Sequence, residues 1–264
     1  MTLGIGTPVA TLEALWAKHT IHLAEAPGGE PSGIKKFKAA DVEKHSEQPS
    51  ASDPSVPDAA KPLTVCAIGD SMIAGCGTQD QQEGLVPDIA EGFARAFRRD
   101  VAWEAHGKLG ATMRRVRYRL LPEVLKTGKT FDILVLCAGS NDIMANRTLD
   151  EWRDDLGSVL EEAKPLSDHI VVLSPGQMQH EPSLGRALRR ALEREMDEQA
   201  AVSKKVCAEY HATYVDMIHE NVHADAPDFF SPDHFHPSAQ GYQYMVDGVI
   251  AKLGSAFVQQ FEAQ

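Results

Sequence analysis

From Leu63 onward the chain alternates between two hydrophobic periods. Short continuous apolar runs recur, separated by longer stretches in which apolar residues return every three or four positions. The runs Leu63–Ile68, Val101–Ala105, Asp132–Ala138, His169–Leu173 and Thr213–Met217 read as strands buried on both faces. Between them, 84–98 reads as a helix. The stretch 111–126 sets Met113, Val116, Leu120, Leu121 and Val124 on one face, with Pro122 marking a kink or break. Thr148 is placed to cap a helix carrying Leu149, Trp152, Leu156 and Leu160, and Ser183 to open a long charged helix reaching about Cys207. Ser238 caps a closing helix whose Tyr242, Met245, Val249 and Leu253 point inward.

Strands and helices in this alternation predict an α/β fold. About five parallel strands would form a three-layer α/β/α sandwich of flavodoxin-like type, joined by right-handed crossovers. The first sixty residues follow another pattern. Thr11 to Leu23 carries a loose helical repeat through Leu12, Leu15, Trp16 and His19. From Gly28 to Pro62 the residues are mostly Pro, Ser, Gly and charged, a composition that buries little surface. We therefore expect two parts: an arm over 1–61, one short helix followed by a flexible stretch, and a domain over 62–264. The arm reads as a tether or as a cover over the site.

Composition narrows the function by exclusion. The 264 residues are 43% hydrophobic, enough for a substantial core, and the formal charge of −12 argues against nucleic acid or anionic lipid as a partner. No stretch reaches the roughly 18 apolar residues of a membrane span. The opening Met1–Pro8 lacks the basic and apolar regions of a secretory signal, so a cytoplasmic protein with reduced thiols is expected. Cys66, Cys76, Cys137 and Cys207 form no Cys-x-x-Cys pair. The histidines outside the 231–237 block show no ligand spacing, so neither metal nor cofactor is expected. Gly4-Ile-Gly6 lacks both the strand and the third glycine of a dinucleotide loop.

The chemistry concentrates in Ser231-Pro-Asp-His-Phe-His-Pro237 and in Gly69-Asp70-Ser71. A serine hydroxyl becomes a nucleophile when an imidazole takes its proton, and a carboxylate must fix that imidazole's tautomer. Asp233 and His236, with two residues between them, can supply both groups from one turn; His234 is a second imidazole in the same turn. Alone, Gly69-Asp70-Ser71 would read equally well as a strand-to-helix turn capped by Ser71. Asp70 is expected to brace that loop and Asp142 to serve structure. Phe229 and Phe230 read as core residues or as walls of a pocket. No Gly-x-Ser-x-Gly elbow is present, which disfavours an α/β-hydrolase.

Four blocks line up past successive strand ends: Ile68-Gly-Asp-Ser-Met-Ile-Ala-Gly75, Gly107-Lys-Leu-Gly-Ala-Thr112, Ala138-Gly-Ser-Asn-Asp142 and Ser231–Pro237. Over about 62–253 this order resembles the SGNH hydrolase superfamily, also called the GDSL esterase/lipase family. The resemblance implies Ser71 as nucleophile, His236 as general base and Asp233 as its orienting acid. It also implies an oxyanion hole built from the N–H groups of Ser71 and Gly110 and the Asn141 side-chain amide. Met72 departs from the leucine frequent after the nucleophile. The implied activity is hydrolysis of a small-molecule carboxylic ester, with short acyl or O-acetyl groups the first expectation. Acyl transfer to an alcohol or sugar and a catalytically silent ligand-binding module are the alternatives.

Overall fold

The computed structural model describes residues 7–38 and 61–262. Its frame is a six-stranded sheet formed by β1 (Ser32–Lys35), β2 (Leu63–Gly69), β3 (Val101–Gly107), β4 (Ile133–Cys137), β5 (Ile170–Leu173) and β6 (Thr213–Val215). The order across the sheet is β1-β3-β2-β4-β5-β6. Every pairing is parallel except that of the edge strand β1, which runs antiparallel to β3.

Alternation along each strand divides the core into two layers. Val65 and Ala67 of β2, with Ile133 and Val135 of β4, face helices α2 (Leu85–Phe97) and α8 (Ala239–Glu262). Cys66 and Ile68, with Leu134 and Leu136, face α3 (Met113–Arg115), α4 (Leu121–Leu125), α6 (Leu149–Ala163) and α7 (Arg186–Glu209). Burial on both faces is why these strands read as unbroken apolar runs. In α8, Tyr242, Met245, Val249 and Leu253 are all buried, as their spacing predicted.

Three departures from the predicted elements have local causes. First, helix α1 (Pro8–Thr20) starts three residues earlier than its apolar repeat, because Thr7 accepts a hydrogen bond from the Ala10 N–H and Pro8 suits the first turn. Its packed face is also different. Ala10 and Ala17 lie against α7, while Leu12, Leu15 and Trp16 stay exposed. Second, β1 arises from a segment with no strand pattern, where Ser32–Lys35 pair with Val101–Glu104 at the sheet edge. The rest of the expected flexible stretch, 39–60, lies outside the described residues. Third, the helical segment is interrupted between α3 and α4, ahead of Pro122 rather than at it. A π-turn over Val116–Leu120 precedes Leu121–Leu125 and absorbs the missing proline N–H. The charged helix α7 opens at Gly185 rather than at Ser183.

The loop after β2 is held very close to the sheet. A Cβ on Gly107 would lie 2.1 Å from the Ala74 N atom, so only glycine lets β3 end against this loop. Gly107→Ala is therefore expected to destabilise the fold by about 1–3 kcal/mol and to lower activity with it. Urea unfolding beside an activity assay checks both effects.

Candidate active site

The strand ends place four loops in one region, as parallel sheets do at their carboxyl edge. Ser71 follows β2, Asn141 sits in the short helix α5 (Ser140–Met144) after β4, and the loop after β5 supplies Gly176, Gln177 and Glu181. The turn before α8 brings His236. Together with Met72, Phe229, Phe230 and Phe235, these residues line a cavity of about 50 Å³. Gly110 follows β3 at φ 75°, is exposed, and is not among the cavity-lining residues.

The Asp233 turn is tightly wired. Its Oδ1 accepts from the Ser231 hydroxyl at 2.7 Å and from the N–H groups of Phe235 and His236, both at 2.9 Å. Its Oδ2 accepts from the Ala24 N–H at 2.9 Å and is joined to His236 Nδ1 at 2.7 Å. Burial works against ionisation here. The bonds from His236 and from the N–H groups of Ala24, His236 and Phe235 prevail, and hold the carboxyl far below its usual range. An ionised acceptor at Nδ1 keeps that nitrogen protonated, which leaves Nε2 with its lone pair. His236 is 2% exposed, and Nε2 has no hydrogen-bond partner among the described residues. His234, by contrast, is exposed at φ 55°, so the structure separates the two imidazoles.

Around Ser71 the donors are free. Neither its hydroxyl, its N–H nor the Gly110 N–H has a hydrogen-bond partner among the described residues. The Asn141 amide spends one donor on the Ala111 carbonyl at 3.1 Å, leaving the other. Asp70 braces the loop by accepting from the Met72 N–H at 3.0 Å, and burial pushes its carboxyl up to about 6. Asp142 accepts from the Met113 N–H at 2.9 Å, and burial likewise pushes it up to about 7. Cys76 is buried behind this region, where its carbonyl accepts from the Tyr242 hydroxyl at 2.7 Å.

Several residues at the site had no sequence signal. Gln177 is anchored by its amide, which donates to the carbonyls of Met217 and Glu220. Glu181 is 6% exposed, its Oε2 has no partner among the described residues, and burial raises it well above the carboxylate range. Gly77 lets the histidine turn close on the serine loop, since at φ 97° its Cβ would fall 2.2 Å from the Pro237 carbonyl oxygen. Phe229 is both core and cavity wall, so the two readings of that residue coincide. A separate trio, Cys66, Glu104 and His106, has ligand-like spacing. There the Lys129 ammonium sits 2.6 Å from the Glu104 carboxylate, and burial raises the Cys66 thiol.

A family model described as GDSL-like Lipase/Acylhydrolase matches residues 67–244, which span all four blocks. The chain belongs to the GDSL-like lipase/acylhydrolase family. It is a carboxylic ester hydrolase acting on small-molecule esters. The fold of this GDSL-like hydrolase is similar to solved structures of low identity. An acetyl xylan esterase from Geobacillus stearothermophilus is 22% identical with a TM-score of 0.58, the match covering 73% of this chain and 94% of that one. An alpha/beta hydrolase enzyme from the metagenome of Lake Arreo, Spain, is 20% identical with a TM-score of 0.57, covering 73% and 95%. The lipase/acylhydrolase from Enterococcus faecalis is 21% identical at 0.54, covering 72% and 95%. A search of curated proteins gave no match. Among the described residues of the GDSL-like hydrolase, no helix is long and apolar enough to cross a membrane.

Asp142 gives a signed pH dependence. Its folded-state pKa is raised, so the unfolded chain releases this proton first as pH rises. The group therefore costs stability progressively between about pH 4 and pH 7. Asp142→Asn cannot ionise, and its stability relative to wild type is expected to improve across that window. Urea midpoints at pH 4, 5.5 and 7 measure the trend; a difference that stays flat or reverses is the contrary result.

Proposed function

We propose that the chain is a serine esterase for small acyl groups, with Ser71 as nucleophile, His236 as general base and Asp233 orienting it. The observation that carries this is the 2.7 Å bond from His236 Nδ1 to Asp233, which leaves a buried, unpartnered Nε2 in the cavity that Ser71 lines. No hydrogen bond joins Ser71 to His236 among the described residues; nucleophile–base bonds of this kind commonly tighten as substrate binds. As Ser71 Oγ attacks the ester carbonyl, its proton passes to His236 Nε2, and the Asp233 carboxylate stabilises the imidazolium. The carbonyl oxygen gains negative charge and takes hydrogen bonds from the free N–H groups of Ser71 and Gly110 and from the Asn141 amide. His236 then returns the proton to the departing alkoxide, which leaves as the alcohol. A water, deprotonated by the same nitrogen, attacks the acyl-enzyme; collapse releases the carboxylic acid and regenerates Ser71.

The size of the cavity supports a small acyl group. About 50 Å³ holds only a few water-sized groups, which favours acetyl and similarly short acyl chains over fatty ones. Met72, Phe229, Phe230 and Phe235 make its wall largely apolar. The similarity to an acetyl xylan esterase is consistent with O-acetylated carbohydrate as one form of that substrate.

Turnover of p-nitrophenyl esters from acetyl to decanoyl tests the reading. The rate is expected to peak at two to four carbons, about two being the acetyl limit set by the cavity, and a decanoyl optimum would overturn the size assignment. Ser71→Ala should lower kcat by at least about 10³-fold while leaving the fold intact by circular dichroism. His236→Asn should be comparably inactive and His234→Asn near wild type. The opposite order would exchange the roles of the two imidazoles.

A further inference from the structure

The family match begins at residue 67, yet one contact to the candidate active site comes from far before it. The chain from 7 to 38 is anchored at both ends of a path that crosses the histidine turn. At one end α1 packs on α7 through Ala10 and Ala17, and Glu13 accepts from the Leu188 N–H at 2.7 Å, capping that helix. At the other end the Gly28 carbonyl accepts from the Gln81 N–H at 3.0 Å, and β1 then joins the sheet beside β3. Between these anchors lies Ala24, whose N–H donates to Asp233 Oδ2 at 2.9 Å.

The two carboxylate oxygens of Asp233 are served differently. Oδ1 takes three donors, all from its own turn: the Ser231 hydroxyl and the N–H groups of Phe235 and His236. Oδ2, the oxygen that meets the imidazole, takes two among the described residues, His236 Nδ1 and the Ala24 N–H. A carboxylate with one oxygen fully bonded can still pivot about that side. The second donor on Oδ2 fixes the plane in which that oxygen meets Nδ1 and draws off part of its charge. Both effects act on His236 through Asp233, so Ala24 is a positioning residue and touches no reacting atom.

We infer that residues 21–31 form a strap belonging to the catalytic apparatus, with the Ala24 backbone N–H positioning Asp233 for His236. This rests on the Ser-His-Asp reading above. Because the donor is a main-chain group, any residue except proline supplies it, and no side-chain motif records it.

The sign of the effect follows from charge. Without this donor Oδ2 carries more negative charge and holds the protonated imidazole more tightly. The acid limb of kcat/KM then moves upward. A residue that merely helped the fold would lower stability and leave that limb in place.

The cleanest test replaces Ala24 with its α-hydroxy analogue, lactic acid, which exchanges the N–H for an ester oxygen and keeps the methyl group. The acid limb of kcat/KM for p-nitrophenyl acetate is expected to rise by about half a pH unit, with plateau kcat/KM down about tenfold. Ala24→Pro should show the same shift, and Ala24→Ser, which keeps the N–H, should leave the acid limb unshifted. An unshifted limb in both the lactyl and proline enzymes overturns the strap's role. Asp233→Asn, assayed in parallel, separates this from failure of the mechanism itself. Retained activity there would remove the Ser-His-Asp reading, whereas lost activity with an unshifted lactyl limb would remove the strap alone.

Discussion

The site depends on one buried ion-dipole arrangement, the five hydrogen bonds that converge on the Asp233 carboxylate. A carboxylate at this depth would take up a proton unless donors surrounded it. Here they do, and the charge they preserve fixes the imidazole tautomer that leaves Nε2 open toward the cavity. The turn is shaped around that acceptor. Pro232 and the left-handed His234 bend the chain so that the N–H groups of Phe235 and His236 point back at one oxygen.

Other acids near the sheet show the opposite balance. Asp70, Asp142 and Glu181 are as deeply buried as His236 but receive one donor or none, and burial raises all three. The contrast is one of donor count. Burial weakens the charge on those carboxyls, whereas the donors around Asp233 preserve its charge beside the imidazole.

Most of the sheet was legible because β2, β4 and β5 are buried on both faces, so their apolar runs carry no competing pattern. The serine and histidine blocks stood out for another reason: a Ser-His-Asp arrangement, as proposed, admits few residue types at each position. The unread parts share a physical cause, which is that backbone or small residues do the work. α1 packs through Ala10 and Ala17, while the larger Leu12 and Trp16 that set its apolar repeat face outward. β1 contributes main-chain bonds with Ser, Gly, Ile and Lys, an edge composition without alternation. Gly77 matters only because the Pro237 carbonyl lies where its Cβ would be, and the wall formed by Gly176, Gln177 and Glu181 follows from the path of a loop. No periodicity encodes either.

The Ala24–Asp233 contact spans 209 positions, nearly the length of the chain, and this separation governs when the site can assemble. During synthesis the strap emerges well before its acceptor, which follows all five parallel strands of the sheet. Closing so long a loop costs chain entropy that is recovered only when the intervening sheet is already formed. The helix and edge strand that flank the strap must therefore wait, docked or unpaired, on the remainder of the polypeptide. A nascent chain that stops short of residue 231 would hold a nearly complete sheet and no Asp233 for the strap to meet, so this contact forms late in folding.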